Sequence, residues 1–283
     1  MSKSVIDTYI NNVYLLQTGV IKLGKNSKYI NSIKRAVKIL DLYTENTENL
    51  GITEISKILD INKSTVYKIV NTLRDEGLLI KNETNQKYMM GYKILDLASK
   101  TIGQYDYKEI SLKEMKELRD DINETVILSV YTKQGGFCLE KVDPKNKIKL
   151  TSQAGHIIPL YAGATGKVLL ANAPKEDMEK IITDKLKKFT NNTEITEKKL
   201  RKQLNKIKEQ GYALSKGELD EGAIAIGAPI LDKDGKLIYG LSIAGPAGRM
   251  EKKGINEIIE KVITKAKNIS TKIKLIKSIK CDN

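Results

Sequence analysis

Residues 52–80 read I-T-E-I-S-K-I-L-D-I-N-K-S-T-V-Y-K-I-V-N-T-L-R-D-E-G-L-L-I, two short amphipathic segments separated by three residues and closed by a glycine. In the first segment Ile55, Ile58 and Leu59 recur at the i, i+3, i+4 spacing of one buried helical stripe, and Thr53 is placed to cap the helix through its side-chain oxygen. Asp60-Ile61-Asn62 forms the turn, Asn62 or Ser64 is the N-cap of a second helix, and Val66, Ile69, Val70 and Leu73 are its core stripe, with Gly77 as its stop. The opposite face of that helix carries Lys63, Ser64, Thr65, Tyr67, Lys68, Asn71 and Arg74, every one of them a hydrogen-bond donor. An ordinary helical hairpin with a solvated polar face has the same pattern, so the two helices alone leave two readings open.

The next twelve or so residues separate them. Leu78-Leu79-Ile80 is a short apolar strand, Asn82 to Gln86 a polar turn, and Lys87-Tyr88-Met89-Met90 a returning strand. A hairpin directly after the second helix is a wing, and helix, turn, helix and wing together lay the second helix in a DNA major groove. On this reading Ser64, Thr65, Tyr67, Lys68 and Asn71 face base edges, while Arg35, Lys63, Arg74, Lys81 and Lys87 face the phosphates and fix register. Upstream, Ile33, Val37, Ile39 and Leu40 mark the first helix of this unit, and Ile6, Ile10, Val13 and Leu15 or Leu16 an additional helix over 4–17. Downstream, Ile94, Leu95, Leu97, Ala98 and Ile102 predict a linker helix.

Composition bounds the rest. A chain of 283 residues is long enough for two cores. The net charge of +14 is spread, +5 over residues 1–100, +4 over 101–250 and +5 over 251–283, so it favours polyanions generally and locates no site. More local is the run Lys22, Lys25, Lys28, Lys34, Arg35, Lys38, which contains no acid and precedes the helix pair; it reads as backbone contact or as a solvated face. Two distant cysteines, Cys138 and Cys281, imply a reduced compartment, and a single histidine, His156, excludes the usual structural zinc set. No apolar run reaches the length of a bilayer span and no signal-peptide core opens the chain, so a cytoplasmic protein without membrane partners is expected. Catalysis would have to rest on Glu218, Asp220 and Glu221, which read as a solvated loop, and no nucleophile with an adjacent base is present.

The pattern changes near Ser111. A helix with Leu112, Met115, Leu118 and Ile122 precedes an alternating strand, Val126-Ile127-Leu128-Ser129-Val130, then turn residues Gly135-Gly136, a partner strand Phe137 to Val142 and a third over Ile148 to Leu150. Helices follow from about Ala164, near 175–186 and over 196–210, then strands at Tyr212–Ser215, Ala223–Ile230 and Leu237–Ala244, the last two joined through Asp232 to Gly235, and a basic helix over 254–279. Strands grouped apart from helices predict an α+β domain on an antiparallel sheet. Gly163-Ala164-Thr165-Gly166 sets small residues and backbone N–H groups at a helix start, where an anion is favoured; close helix–sheet packing explains the same residues equally well.

Taken together, I-N-K-S-T-V-Y-K-I-V-N-T-L-R-D-E-G-L-L at 61–79, P-L-Y-A-G-A-T-G-K-V-L-L-A at 159–171, G-Y-A-L-S-K-G-E-L-D-E-G-A-I-A-I-G-A-P-I at 211–230 and L-S-I-A-G-P at 241–246 resemble the IclR family of bacterial transcriptional regulators, in order and at the family's spacing, from about Ile30 to Ile279. The resemblance implies an N-terminal winged helix-turn-helix domain (29–91, after an extension over 1–28), a linker helix (92–110) and a C-terminal GAF-like effector-binding domain (111–283). It implies homodimers or homotetramers on a palindromic double-stranded operator; together with the composition, the expected protein is a repressor controlled by a small organic or sugar acid, with neither cofactor, metal nor enzymatic activity. It places the effector at Gly163, Ala164 and Thr165 on one wall and Ser215, Ala225, Ser242 and Ala244 on the other. Members that sense small acids commonly carry an acidic residue where this chain has Ser215 and hydroxyls at both alternate positions before G-P, where it has Ser242 and Ala244. That departure changes which ligand is bound.

Overall fold

The computed structural model describes residues 30–44, 47, 49–103, 107–145, 155 and 157–281. The expected helix over 4–17, the lysines before Ile30, the strand over 148–150 and His156 lie outside them. The chain divides into two compact units, Met1–Tyr105 and Asp106–Asn283.

In the first unit α1 (Asn31–Leu40), α2 (Ile52–Leu59) and α3 (Lys63–Asp75) are followed by β1 (Leu79–Lys81), β2 (Tyr88–Met90) and α4 (Lys93–Gly103). Ile39, Ile55, Val66, Val70, Leu73, Leu79 and Tyr88 close into one core. The two helices of the opening stretch therefore bury the stripes expected of them. The cap of α2 differs. The chain stays extended only to Gly51, so Thr53 lies inside the helix, and the Gly51 N–H donates to Glu54 Oε2 at 2.7 Å instead. Asp60 turns the chain at φ 51°, and Ser56 locks the corner by donating its hydroxyl to Ile61 O at 2.6 Å while Ile61 N–H donates to Ser56 O at 3.1 Å. Asn62 occupies the N-cap position of α3 without a side-chain cap bond.

At the other end of α3, Gly77 adopts φ 75°; its N–H donates to Arg74 O at 2.9 Å and Leu78 N–H to Leu73 O at 2.8 Å. These paired bonds satisfy the last carbonyls and turn the chain directly into β1. β1 and β2 pair antiparallel with Lys81 opposite Tyr88, and Leu50 and Tyr88 exchange N–H···O bonds of 2.9 Å, tying the wing to the segment before α2. In α1 the stripe is not the expected one. Ile39 is buried with Ala36 and Leu40 against it, whereas Ile33 and Val37 are 59% and 51% exposed, on a face shared with Ile30.

The second unit runs α5 (Tyr107–Ile122), β3 (Thr125–Thr132), β4 (Gly135–Val142), β5 (Ile157–Ile158), α6 (Gly163–Ala171), α7 (Lys175–Ile182), α8 (Glu197–Gln210), β6 (Ala213–Lys216), β7 (Ala223–Leu231), β8 (Leu237–Pro246), α9 (Ala247–Lys252) and α10 (Ile255–Cys281). The six strands form an antiparallel sheet in the order β5-β4-β3-β8-β7-β6. Val126, Leu128, Ile224, Ile226, Leu241 and Ile243 face one way and pack with Met115 and Leu118 of α5 and Val262 and Ile269 of α10. The opposite face carries α6, backed by α8 through Val168, Leu200 and Leu204. The β3–β4 turn is Lys133-Gln134, and Gly135 and Gly136 already pair with Thr132 and Tyr131 as β4.

Candidate functional site

Two surfaces answer to the residues singled out in the sequence. On α3, Lys63, Ser64, Tyr67, Lys68 and Arg74 are exposed and Thr65 and Asn71 half-buried, while Val66, Val70 and Leu73 hold the helix from behind. Ser64, Tyr67, Lys68 and Asn71 follow the i, i+3, i+4, i+7 rule and so share one face. Tyr67 is 56% exposed, an aromatic ring held in water on the polar side of a helix. The expected phosphate contacts are less uniform. Arg74 is bonded to its neighbour Asp75 at 2.7 and 3.0 Å, and Lys87 donates to Glu54 Oε1 at 2.8 Å. The Lys87 ammonium, together with the Gly51 N–H, holds the Glu54 carboxyl below the usual carboxylate range. Lys87 thus braces the wing against the cap of α2, while Arg35 is exposed on α1.

In the second unit the sheet register collects the other set. Ser215 of β6 pairs with Ala225 of β7, Ala225 with Ala244 of β8, and Ala244 with Thr125 of β3, one row across four strands. The adjacent row is Ala213, Gly227, Ser242 and Ile127. Ser242 shares a 2.6 Å hydroxyl–hydroxyl bond with Thr165 of α6, which fixes both rows as facing that helix. Gly163, Ala164, Thr165, Ser215, Ser242 and Ala244 are all buried. α6 descends close to the chain before it: a Cβ at Gly166 would meet Pro159 O at 2.0 Å, so the glycine there serves packing.

The charges at the start of α6 are not arranged as a solvated loop beside a free helix end. Lys167 is 3% exposed at its side chain and forms a short ion pair with Glu218, itself 9% exposed; the ammonium also donates to Gln203 Oε1 at 3.2 Å. The second oxygen of Glu218 accepts the Gly163 N–H at 3.1 Å. Glu218 is held there by its backbone, because Thr193 donates its hydroxyl to Glu218 O at 2.6 Å and Thr190 donates to Gly217 O at 2.5 Å. The expectation that Glu218 belongs to a solvated loop is therefore wrong, although Asp220 and Glu221 are exposed. A resident carboxylate occupies one amide of the expected anion seat. Elsewhere on this unit, a 330 Å³ groove lined by Asp121, Glu257, Glu260, Lys261, Thr264 and Lys265 and a 250 Å³ groove along α8 have only polar or charged side chains in their walls, unlike a small-molecule site. Among the described residues no His, Cys, Asp and Glu cluster could hold a metal ion, and no helix is long and apolar enough to cross a membrane.

Sequence reasoning did not single out Thr125, which shares the row of Ala244, or the Lys167–Glu218–Gly163 arrangement. The first was legible only as the hydroxyl end of an alternating strand. The second joins positions 55 residues apart and had no local signal.

A winged helix-turn-helix unit in one chain with an antiparallel-sheet domain whose inner face is lined by small and hydroxylated residues defines a ligand-responsive DNA-binding regulator. The chain belongs to the IclR family: residues 32–83 match the IclR helix-turn-helix domain and residues 99–271 the bacterial transcriptional regulator IclR C-terminal domain. It is 30% identical over 252 residues to the transcriptional regulator KdgR of Dickeya chrysanthemi, covering 89% of this chain and 82% of that one. It is 29% identical over 223 residues to XynR of Escherichia coli, covering 78% and 88%. Among solved structures, the Thermotoga maritima IclR superposes with a TM-score of 0.66 at 28% identity, over 87% of this chain and all of that one. An IclR homologue of Microbacterium hydrocarbonoxydans complexed with 4-hydroxybenzoate superposes with a TM-score of 0.74 at 21% identity, covering 85% and 98%, a likeness of fold. These relatives are transcriptional regulators, and the two domains imply DNA and a small molecule as partners.

Proposed function

We propose that the protein is a cytoplasmic, sequence-specific repressor that binds a palindromic operator as a homodimer or homotetramer and is controlled by a small organic or sugar acid. The observation that carries the DNA half is the single face of α3 on which Ser64, Tyr67 and Lys68 are exposed, with the half-buried Asn71 on the same face and Thr65 beside them. These side chains read base edges, with Lys63, Arg35, Arg74 and Lys81 on the phosphates; Lys87 reaches phosphate only by leaving Glu54. Assembly is supported by the exposed apolar stripe Ile30, Ile33 and Val37 on α1, at 65%, 59% and 51% exposure, because a two-fold pair of these units spaces two recognition helices for two half-sites.

The effector reading rests on the row Ser215, Ala225, Ala244 and on Ser242 and Thr165, hydroxyls spaced by small side chains beneath Gly163 and Ala164. The 4-hydroxybenzoate complex of the Microbacterium homologue is a hydroxylated acid bound by the same fold. A ligand that prefers one arrangement of the assembly shifts the population between operator-competent and incompetent states by its differential affinity. The test is a gel-shift titration, at moderate salt, of the full chain on the DNA upstream of its neighbouring operon and on random duplex of equal length. Binding at least a hundredfold tighter to the upstream DNA, weakened by a hydroxylated acid, is expected. Equal binding to both duplexes sinks the proposal.

A further inference from the structure

Thr125 heads the row of small residues that runs through Ala244, Ala225 and Ser215, and none of the other effector candidates lies on its strand. It is wholly buried, and its hydroxyl is one of few buried side-chain oxygens among the described residues with no hydrogen-bond partner. Its direction is fixed by register. Thr125 lies opposite Ala244, two residues from the pair Ile127 and Ser242, and Ser242 bonds to Thr165 of α6; Val126 points the other way into the core against α5 and α10. An orphaned hydroxyl in a closed interior is unfavourable, so one that persists on the face carrying the ligand seat has a partner that is not part of the chain.

We infer that Thr125 is an effector-contacting, specificity-determining residue whose hydroxyl hydrogen-bonds one end of the ligand while Ser215 holds the other. The inference rests on the ligand seat proposed above. Thr125 and Ser215 stand three strand spacings apart, about 14 Å. A hydrogen bond of about 2.8 Å at each end leaves about 8 Å, the length of a five- or six-carbon chain with its terminal oxygens. The ligand so defined is a linear polyhydroxylated molecule, since Ala225 and Ala244 between the two hydroxyls give it room and no charge.

The test works whether or not the natural effector has been identified. In the full chain, Thr125→Cys and, as a control on the opposite face, Val126→Cys are treated with methyl methanethiosulfonate at neutral pH, and peptide mass spectrometry separates the new thiol from Cys138 and Cys281. The Thr125→Cys thiol is expected to react at least tenfold faster than the Val126→Cys thiol, and millimolar D-gluconate, a six-carbon sugar acid, to slow it at least threefold while glyoxylate does not. Equal, slow reaction of the two thiols overturns the inference. Fast reaction that D-gluconate leaves unchanged keeps Thr125 in the seat and removes the sugar-acid reading instead. Thr125→Val supplies a measurement independent of labelling: loss of an unpaired buried hydroxyl raises the melting midpoint of the second unit by about 2–4 °C. A midpoint lowered by that much shows a hydroxyl already satisfied within the fold, and also overturns the inference.

Discussion

Replacing Lys167 by methionine tests the buried pair at the start of α6. The substitution keeps the length and the apolar stem of the side chain and removes the ammonium. Glu218 then retains the Gly163 N–H at 3.1 Å and loses its cationic partner, in a place where its side chain is 9% exposed. Breaking a buried pair from one side costs about 3–5 kcal/mol, because the remaining charge is neither solvated nor compensated. For a unit of this size that lowers the melting midpoint by about 6–20 °C. Glu218→Gln strands the ammonium with Gln203 and an amide oxygen and is expected to cost a similar amount. The double variant carries no buried charge, so its loss should be at least about 2 kcal/mol smaller than the sum of the singles. Scanning calorimetry of the four proteins gives the full cycle. Additive losses would refute the view of these residues as one coupled buried pair.

Three further outcomes are expected. Lys68→Ala with Asn71→Ala should weaken operator binding by at least about 30-fold, from about 1–3 kcal/mol per base contact, with an unchanged melting midpoint since neither side chain is in the core; fluorescence anisotropy and a melt on one sample check both. Ile33→Asp with Val37→Asp places charges on the exposed stripe of α1 and should lower the mass measured by sedimentation at micromolar concentration without unfolding the unit, whose core they do not join. Glu54 has its pKa depressed by Lys87 and Gly51, so its contribution is present above the unfolded carboxylate range, near 4.3, and is lost as pH falls through the folded value. The stability gap between wild type and Glu54→Gln should accordingly close on acidification from pH 6 to pH 3, as read by urea midpoints.

The first unit was legible because its order is local. Apolar spacing sets α2 and α3, Asp60 and Gly77 supply the positive φ their corners need, and the wing follows within a dozen residues. Where the reading failed, competition between near neighbours decided. Thr53 is as good a cap by type as any residue nearby, but the chain leaves the extended region at Gly51, and Glu54 reaches back to the N–H that a Thr53 cap would have left for water. In α1 both Ile33 and Ile39 are apolar, and nothing in a single helix says which of two apolar faces meets α3.

In the second unit, the strands were readable from alternation, but a row across four strands is a property of register, and register joins residues up to 119 positions apart. Ser215, Ala225 and Ala244 were singled out through resemblance, and Thr125, which shares their row, was not. The same limit hid the charge. The family resemblance leads one to expect an acidic residue where this chain has Ser215, so the sequence alone reads as a proposed seat that has lost its carboxylate. The fold returns one from Glu218, three residues later, on the amide of Gly163 and against Lys167. Because the ammonium and the carboxylate neutralise each other, the row facing α6 carries hydroxyls and small apolar side chains rather than a net charge. If this row is the ligand seat proposed above, discrimination comes from matching hydroxyl to hydroxyl along it, where one mismatched polar group is left unpaired and costs about 1–3 kcal/mol. Under that proposal ligand length and hydroxyl pattern decide selectivity, and an acid group on the ligand contributes mainly through the dipole of α6 that it would share with Glu218.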